Sequence, residues 1–329
     1  TPRSSSAASD VYKRQVNDAG NSYGCSWGDY NKDGYLDLFV ANSQGDNNFL
    51  YQNNRDDTFT KITTGIIVTD GGDSQGGSWG DYDNDGDLDL FVTNCCDENN
   101  FLYRNNGTGS FEKITSGIVV NDGGLSLGSS WGDFDNDGNL DLYVTNGVFG
   151  GAESNFLYKN NGDGTFEKIT TGTVVTDTRN SNGNSWSDFD NDGDLDLFLT
   201  DNEKDNFLFR NEGNINNWIN IRLLGVVSNT TAIGVKVKVK VVINDIPVWQ
   251  LKEISGQTGF FGQNSLNAEF GLGNATTIDS ILIEWPVFST EQVLTNVPAN
   301  QFLTITEPAE ADIAAESDSL NFGETVVSA

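Results

Sequence analysis

The densest chemistry in this sequence is carboxylate. In WGDYDNDGDLDLFVTN, residues 79–94, Asp81, Asp83, Asp85, Asp87 and Asp89 stand at alternate positions. Like charges about 4 Å apart repel by ~1 kcal/mol a pair even in bulk water, so a fold that holds them together needs a counter-charge. Numbered from Asp81, oxygen-bearing side chains fall at positions 1, 3, 5 and 9, with Gly86 at position 6. Calcium takes six to eight oxygens at ~2.3–2.6 Å, and alternating Asp/Asn around a glycine turn supplies them.

The same loop recurs as WGDYNKDGYLDLFVAN (27–42), WGDFDNDGNLDLYVTN (131–146) and WSDFDNDGDLDLFLTD (186–201). Positions 1, 3, 5 and 9 are Asp29, Asn31, Asp33 and Asp37; Asp81, Asp83, Asp85 and Asp89; Asp133, Asp135, Asp137 and Asp141; and Asp188, Asp190, Asp192 and Asp196. Position 7 varies as Tyr35, Asp87, Asn139 and Asp194, as expected where only the backbone carbonyl serves the ion. A merely solvated acidic turn would not hold four positions and free the seventh. Magnesium suits the loop less, since it demands octahedral geometry and keeps several waters. An EF-hand needs Glu at position 12; here that position is Val40, Val92, Val144 or Leu199. Thrombospondin-type calcium repeats are shorter and rely on cysteines. The reading is about four calcium sites.

These loops need a repeating scaffold. Trp27, Trp79, Trp131 and Trp186 are spaced by 52, 52 and 55 residues, and each loop is followed by a second signature: NNFLYQNN (47–54), NNFLYRNNG (99–107), SNFLYKNNG (154–162) and DNFLFRNEG (205–213). A third, such as SFEKITSGIVV (110–120), follows the first three. About four short segments per unit, separated by Gly/Asn/Asp turns, is strand spacing, and such repetition at 40–55 residues marks a β-propeller blade. Leu-Asp-Leu-Phe-Val then reads as an inner strand covered on both faces, with the tryptophans packed between blades.

A formal charge of −30, from 18 basic and 48 acidic residues, argues against nucleic acid or an anionic membrane surface as partner. No apolar run approaches the ~18 residues of a membrane span. With no histidine there is no Ser-His-Asp triad or zincin site. Paired-carboxylate hydrolysis stays open in form, but the clustered carboxylates are assigned to metal. Cys25, Cys95 and Cys96 make neither a disulfide framework nor a zinc pattern; either all three are unpaired, or Cys25 bridges to Cys95 or Cys96.

The W-[GS]-D-[YF]-[DN]-x-D-G-x-L-D-L-[FY] units over residues 16–213 resemble FG-GAP/VCBS repeats, the calcium-binding blades of integrin α-type propellers and many bacterial surface proteins. That resemblance implies a propeller of about seven blades, of which four calcium units stand here, either because blades are missing or because the propeller is an open arc. After Gly213 comes a small all-β region (214–306) with strands such as IGVKVKVKVVI (233–243), whose valines and Lys236, Lys238 and Lys240 alternate between faces. It resembles the ASPIC/UnbV domain of the cartilage acidic protein family in Asn217-Trp218, Ala232-Ile233-Gly234, Phe270-Gly271-Leu272-Gly273 and Glu284-Trp285-Pro286. Family members often carry a charged residue after Ser-Asn, where this chain has Thr230-Thr231.

The expectation is therefore an all-β chain of propeller blades followed by a small β-sandwich-like domain. Residues 1–15 read as foreign to the repeat, and 307–329 as an acidic linker followed by the first strand of a truncated immunoglobulin-like module. The function read from this is calcium-dependent adhesion or recognition of an extracellular protein or glycan, secreted or at the cell surface, with a signal peptide upstream of these residues. The alternatives are a calcium-dependent polysaccharide-active enzyme on the propeller scaffold and a structural spacer. Phe149, in the VFGGAES insertion (148–154), is the loop residue to inspect for ligand contact, with a buried-loop role as the equal alternative.

Overall fold

A computed structural model describes residues 18–147, 152–202, 205–286 and 291–309. Segment 1–15, Phe149 and the strand read at 319–327 lie outside them.

Four antiparallel sheets follow one another in chain order. The first comprises β1 (Ser22–Gly28), β2 (Asp37–Asn42), β3 (Phe49–Asn53) and β4 (Phe59–Ile62), and the second β5 (Ser74–Gly80), β6 (Asp89–Asn94), β7 (Phe101–Asn105) and β8 (Phe111–Ile114). In the third, β9 (Ser126–Gly132) and β10 (Asp141–Asn146) pair with β12 (Phe156–Asn160) and β13 (Phe166–Ile169). A two-residue pair, β11 (Glu153–Ser154) with β14 (Thr178–Arg179), bridges to the fourth, which is β15 (Ser181–Ser187), β16 (Asp196–Asp201) and β17 (Phe207–Phe209). These are propeller blades, each a sheet stacked on the next.

The apolar run is the second strand of each blade. In β6, Leu90 and Val92 enter the core shared with the first blade, while Phe91 enters the core shared with the third. Burial on both faces is why the run is continuous. Each fully buried side chain of this kind contributes about 1.5–3 kcal/mol.

The first strand had no apolar signal, because it is built of small residues. A methyl added at Gly24 would lie 2.5 Å from the Gln75 carbonyl oxygen, and one at Gly128 would lie 2.8 Å from that of Asn182. Serine and glycine let β1, β5, β9 and β15 crowd side by side. In the second, third and fourth blades the tryptophan next to the end of the first strand lies over the glycine ending the first strand of the blade before: a Cβ on Gly28, Gly80 or Gly132 would stand 2.7–2.8 Å from the ring of Trp79, Trp131 or Trp186.

The rest of the chain is a sandwich. A three-stranded sheet, β18 (Asn217–Leu224) between β21 (Ala268–Gly273) and β24 (Gln301–Thr306), faces a four-stranded one of β19 (Lys236–Ile243), β20 (Ile246–Glu253), β22 (Thr277–Glu284) and β23 (Gln292–Pro298). Val237, Val239 and Val241 fill its core with Ile219, Ile221 and Phe270. The lysine face of β19 was expected to be half-exposed. Lys238 and Lys240 are, but Lys236 is buried against the first blade.

The sandwich sits on the propeller. The segment between β20 and β21 runs across the blades' first strands, where the Ser185 hydroxyl donates to the Gln263 carbonyl and the Trp186 N–H to Asn264 Oδ1. Asn264 Nδ2 in turn donates to the Trp131 carbonyl.

Candidate metal centres

Each aspartate loop joins the first strand of a blade to the second. Its backbone geometry repeats: position 4 (Lys32, Asn84, Asn136, Asn191) takes φ of 55–61° and the position-6 glycine φ of 86–93°. The left-handed backbone suits glycine, and asparagine tolerates it. In all four loops the position-1 carboxylate accepts the N–H groups of positions 5 and 6, for example Asp85 N–H to Asp81 Oδ1 (3.0 Å) and Gly86 N–H to Asp81 Oδ2 (3.0 Å). Position 5 accepts the N–H of position 7.

In the second, third and fourth loops three of the four side chains at positions 1, 3, 5 and 9 converge. Carboxylate oxygens lie within 4.8 Å of one another in Asp81/Asp83/Asp85, in Asp133/Asp135/Asp141 and in Asp188/Asp190/Asp196. The residues of the second and third loops fit a cation, because Asp83 Oδ1 and Asp135 Oδ1 are buried with no hydrogen-bond partner. Position 9 is the first residue of the second strand, and one of its oxygens is held by the third-strand asparagine, as in Asn105 N–H to Asp89 Oδ1 (2.8 Å). Burial, reinforced by the neighbouring carboxylates, pushes Asp81 up to about 8. Burial likewise takes Asp89 to about 9, and Asp133 and Asp37 to about 7. A cation among them would replace those protons.

Position 7 does something the residue pattern did not disclose: it links neighbouring loops. Asn84, at position 4 of the second loop, donates to the Gly138 carbonyl (3.1 Å) and to Asn139 (3.4 Å) at positions 6 and 7 of the third. Asn136 does the same to Gly193 and Asp194 of the fourth, and Lys32 pairs with Asp87 at 2.5 Å. Tyr35 in the first loop has Arg55 over its ring instead.

The NNFLYxNN signature also has roles that spacing alone could not assign. Asn48, Asn100 and Asn155 each donate to a serine of the next blade (Ser74, Ser126, Ser181), at 3.0–3.2 Å. Asn105, Asn160 and Asn211 donate to the position-2 carbonyl of the preceding loop (Tyr30, Tyr82, Phe134), each at 2.7 Å. Asp70 accepts from Tyr103 (2.8 Å) and Lys113 (2.5 Å), and that lysine lies over Phe101. Asp18 and Asp122 do likewise with Tyr51/Lys61 and Tyr158/Lys168.

The three cysteines are free. The bridge from Cys25 to Cys95 or Cys96 is not formed; Cys25 contacts Gln257 at 3.6 Å, whereas Cys95 and Cys96 lie beside Asp73 in the second blade. Among the described residues no helix is long and apolar enough to cross a membrane.

Comparison with known proteins agrees with this architecture. The FG-GAP-like repeat family matches residues 29–92, 81–144 and 148–199, and the ASPIC and UnbV family matches 225–312. Cartilage acidic protein 1 of Xenopus tropicalis is 27% identical over 302 residues, covering 88% of this chain and 45% of that protein. The human protein of the same name is 28% identical over 306 residues, covering 88% and 44%. The chain thus spans less than half the length of these curated relatives. With blades, loops and sandwich in that order, the chain belongs to the FG-GAP-like repeat family and carries an ASPIC and UnbV domain.

Proposed function

We propose that this chain is a calcium-stabilised recognition module of a secreted or surface-displayed protein, in which ions in the aspartate loops lock the blades and the assembly presents its surface to a protein or glycan. The observation that carries the calcium reading is the set of converging carboxylates in prearranged loops, with buried oxygens that lack a partner. The residues that would hold the ions are Asp81, Asp83, Asp85 and Asp89 in the second loop, Asp133, Asp135, Asp137 and Asp141 in the third, and Asp188, Asp190, Asp192 and Asp196 in the fourth. Bound ions would supply charge, roughly +2 a site, and bring backbone and carboxylate oxygens into one fixed arrangement. Two further observations support a lock: loops interlock through positions 4 and 7, and the sandwich rests on the same face, with Gly273 N–H donating to the Asn136 carbonyl at 2.8 Å. Domain limits at 16–213 and 214–306 follow from this reading. Recognition is preferred over catalysis because the clustered carboxylates are committed to metal.

Titration calorimetry with calcium, followed by Asp81→Asn and Asp133→Asn, tests the sites. Each substitution is expected to remove one ion and leave the others. An unchanged count in both variants would overturn the assignment.

A further inference from the structure

The first loop differs from the others in what fills it. Lys236 of β19 places Nζ 2.5 Å from Asp29 Oδ2, with the two side chains only 7% and 2% exposed. Asp29 Oδ2 also accepts the Gly34 N–H at 2.7 Å, and Oδ1 accepts the Asp33 N–H at 2.9 Å. Glu253 of β20 stands on the other side and accepts the Asp29 N–H with both oxygens at 3.3 Å. The second domain thus delivers a buried ammonium and a half-buried carboxylate to the position-1 residue.

Position 3 points the same way. Asp83 and Asp135 keep a buried oxygen without a partner, but the equivalent Asn31 spends its oxygen on the Asp33 N–H (3.0 Å) and leaves its NH₂ unpartnered. The first loop is also the one that lacks three converging acids, among the described residues. One buried oxygen, Asp37 Oδ2, remains without a partner, and one oxygen does not make a calcium site. Basic side chains reach other loops too: Lys159 touches Asp135 and Asp137, and Arg210 touches Asp190 and Asp192. Those are 29% and 52% exposed and contact positions 3 and 5, so they can swing into solvent. Lys236, at 7% exposed, is far more enclosed.

We propose that the Lys236 ammonium takes the place of a metal ion in the first loop, so that the chain binds calcium in the second, third and fourth loops while the first is a metal-independent seat for the sandwich. A divalent ion beside Asp29 would stand within a few ångströms of a buried ammonium, and like charges that close repel strongly. The inference rests on the calcium reading above.

Native mass spectrometry of the full chain, stripped with EDTA and returned to calcium, tests it by counting ions. Three are expected in the wild type and four in Lys236→Met, which frees Asp29. Four ions in the wild type, or three in a folded Lys236→Met, would overturn this inference alone. No bound ion in either chain would overturn the calcium reading and this inference with it. Should Lys236→Met fail to fold, the wild-type count decides.

Discussion

The titration of the loop aspartates gives the metal-free chain an unusual pH response. Asp81 is held up to about 8, and Asp37 and Asp133 to about 7, by burial, against an ordinary value of 3.8. Between about pH 4 and 8 the native state therefore keeps protons that the unfolded chain has released. Stability then falls as pH rises through that window, since the slope follows protons bound unfolded minus native. In EDTA the melting temperature is expected to climb as pH drops from 8 to 5, and calcium should flatten the trend by displacing those protons. A melting temperature in EDTA that rises with pH over this range would contradict the account. At this scale the local geometry was legible: positions 1, 5 and 6 show in residue type because the carboxylates at 1 and 5 accept N–H groups within the loop and glycine takes its left-handed turn. Position 4 left a trace, an asparagine in three loops of four, since asparagine accepts a left-handed backbone. The position-7 link was not legible, because its partner lies in a different repeat.

At the scale of the element, the blades hold together by close approach and by asparagine. Gly80→Ala would set a methyl 2.7 Å from the Trp131 ring, and overpacking of this kind costs about 1–3 kcal/mol. Chemical denaturation should show that loss, and a change within error would mean the rings do not seat on the glycines. Asn160→Leu removes the donors to the Tyr82 and Leu140 carbonyls; stranding buried acceptors costs about 1–3 kcal/mol each, and calcium should not restore it. The second strands were readable from hydrophobicity, and Trp79, Trp131 and Trp186 lie between blades as expected. The first strands were not readable as strands, because SQGGSWG and SLGSSWG are chosen for smallness around the propeller's inner edge, a property that neither alternation nor apolar content reports.

At the scale of the molecule, the all-β class and the order of blades and sandwich could be read from repeats and family resemblance, but the way the two parts meet could not. That contact depends on residues more than 200 positions apart, such as Lys236 and Asp29. The fourth blade shows what stacking does for the others. Phe198 and Leu208 are 41% and 52% exposed there, whereas Phe39, Phe91 and Tyr143, and Leu50 and Leu102, at the same places are almost completely buried under the following blade. Ser187 stands where the earlier blades have the glycine that seats a tryptophan.

Calcium ions in the aspartate loops are proposed to hold this arrangement together, and the most direct test is the melting temperature of the chain in millimolar calcium and in EDTA. For dissociation constants of ~10⁻⁴–10⁻³ M, typical of extracellular modules, each site adds about 0.4–1.4 kcal/mol at millimolar calcium. Several sites together should raise the melting temperature by several degrees, and magnesium at the same concentration should raise it less. Identical melting curves with calcium and with EDTA would contradict the account, and return the loop carboxylates to other chemistry.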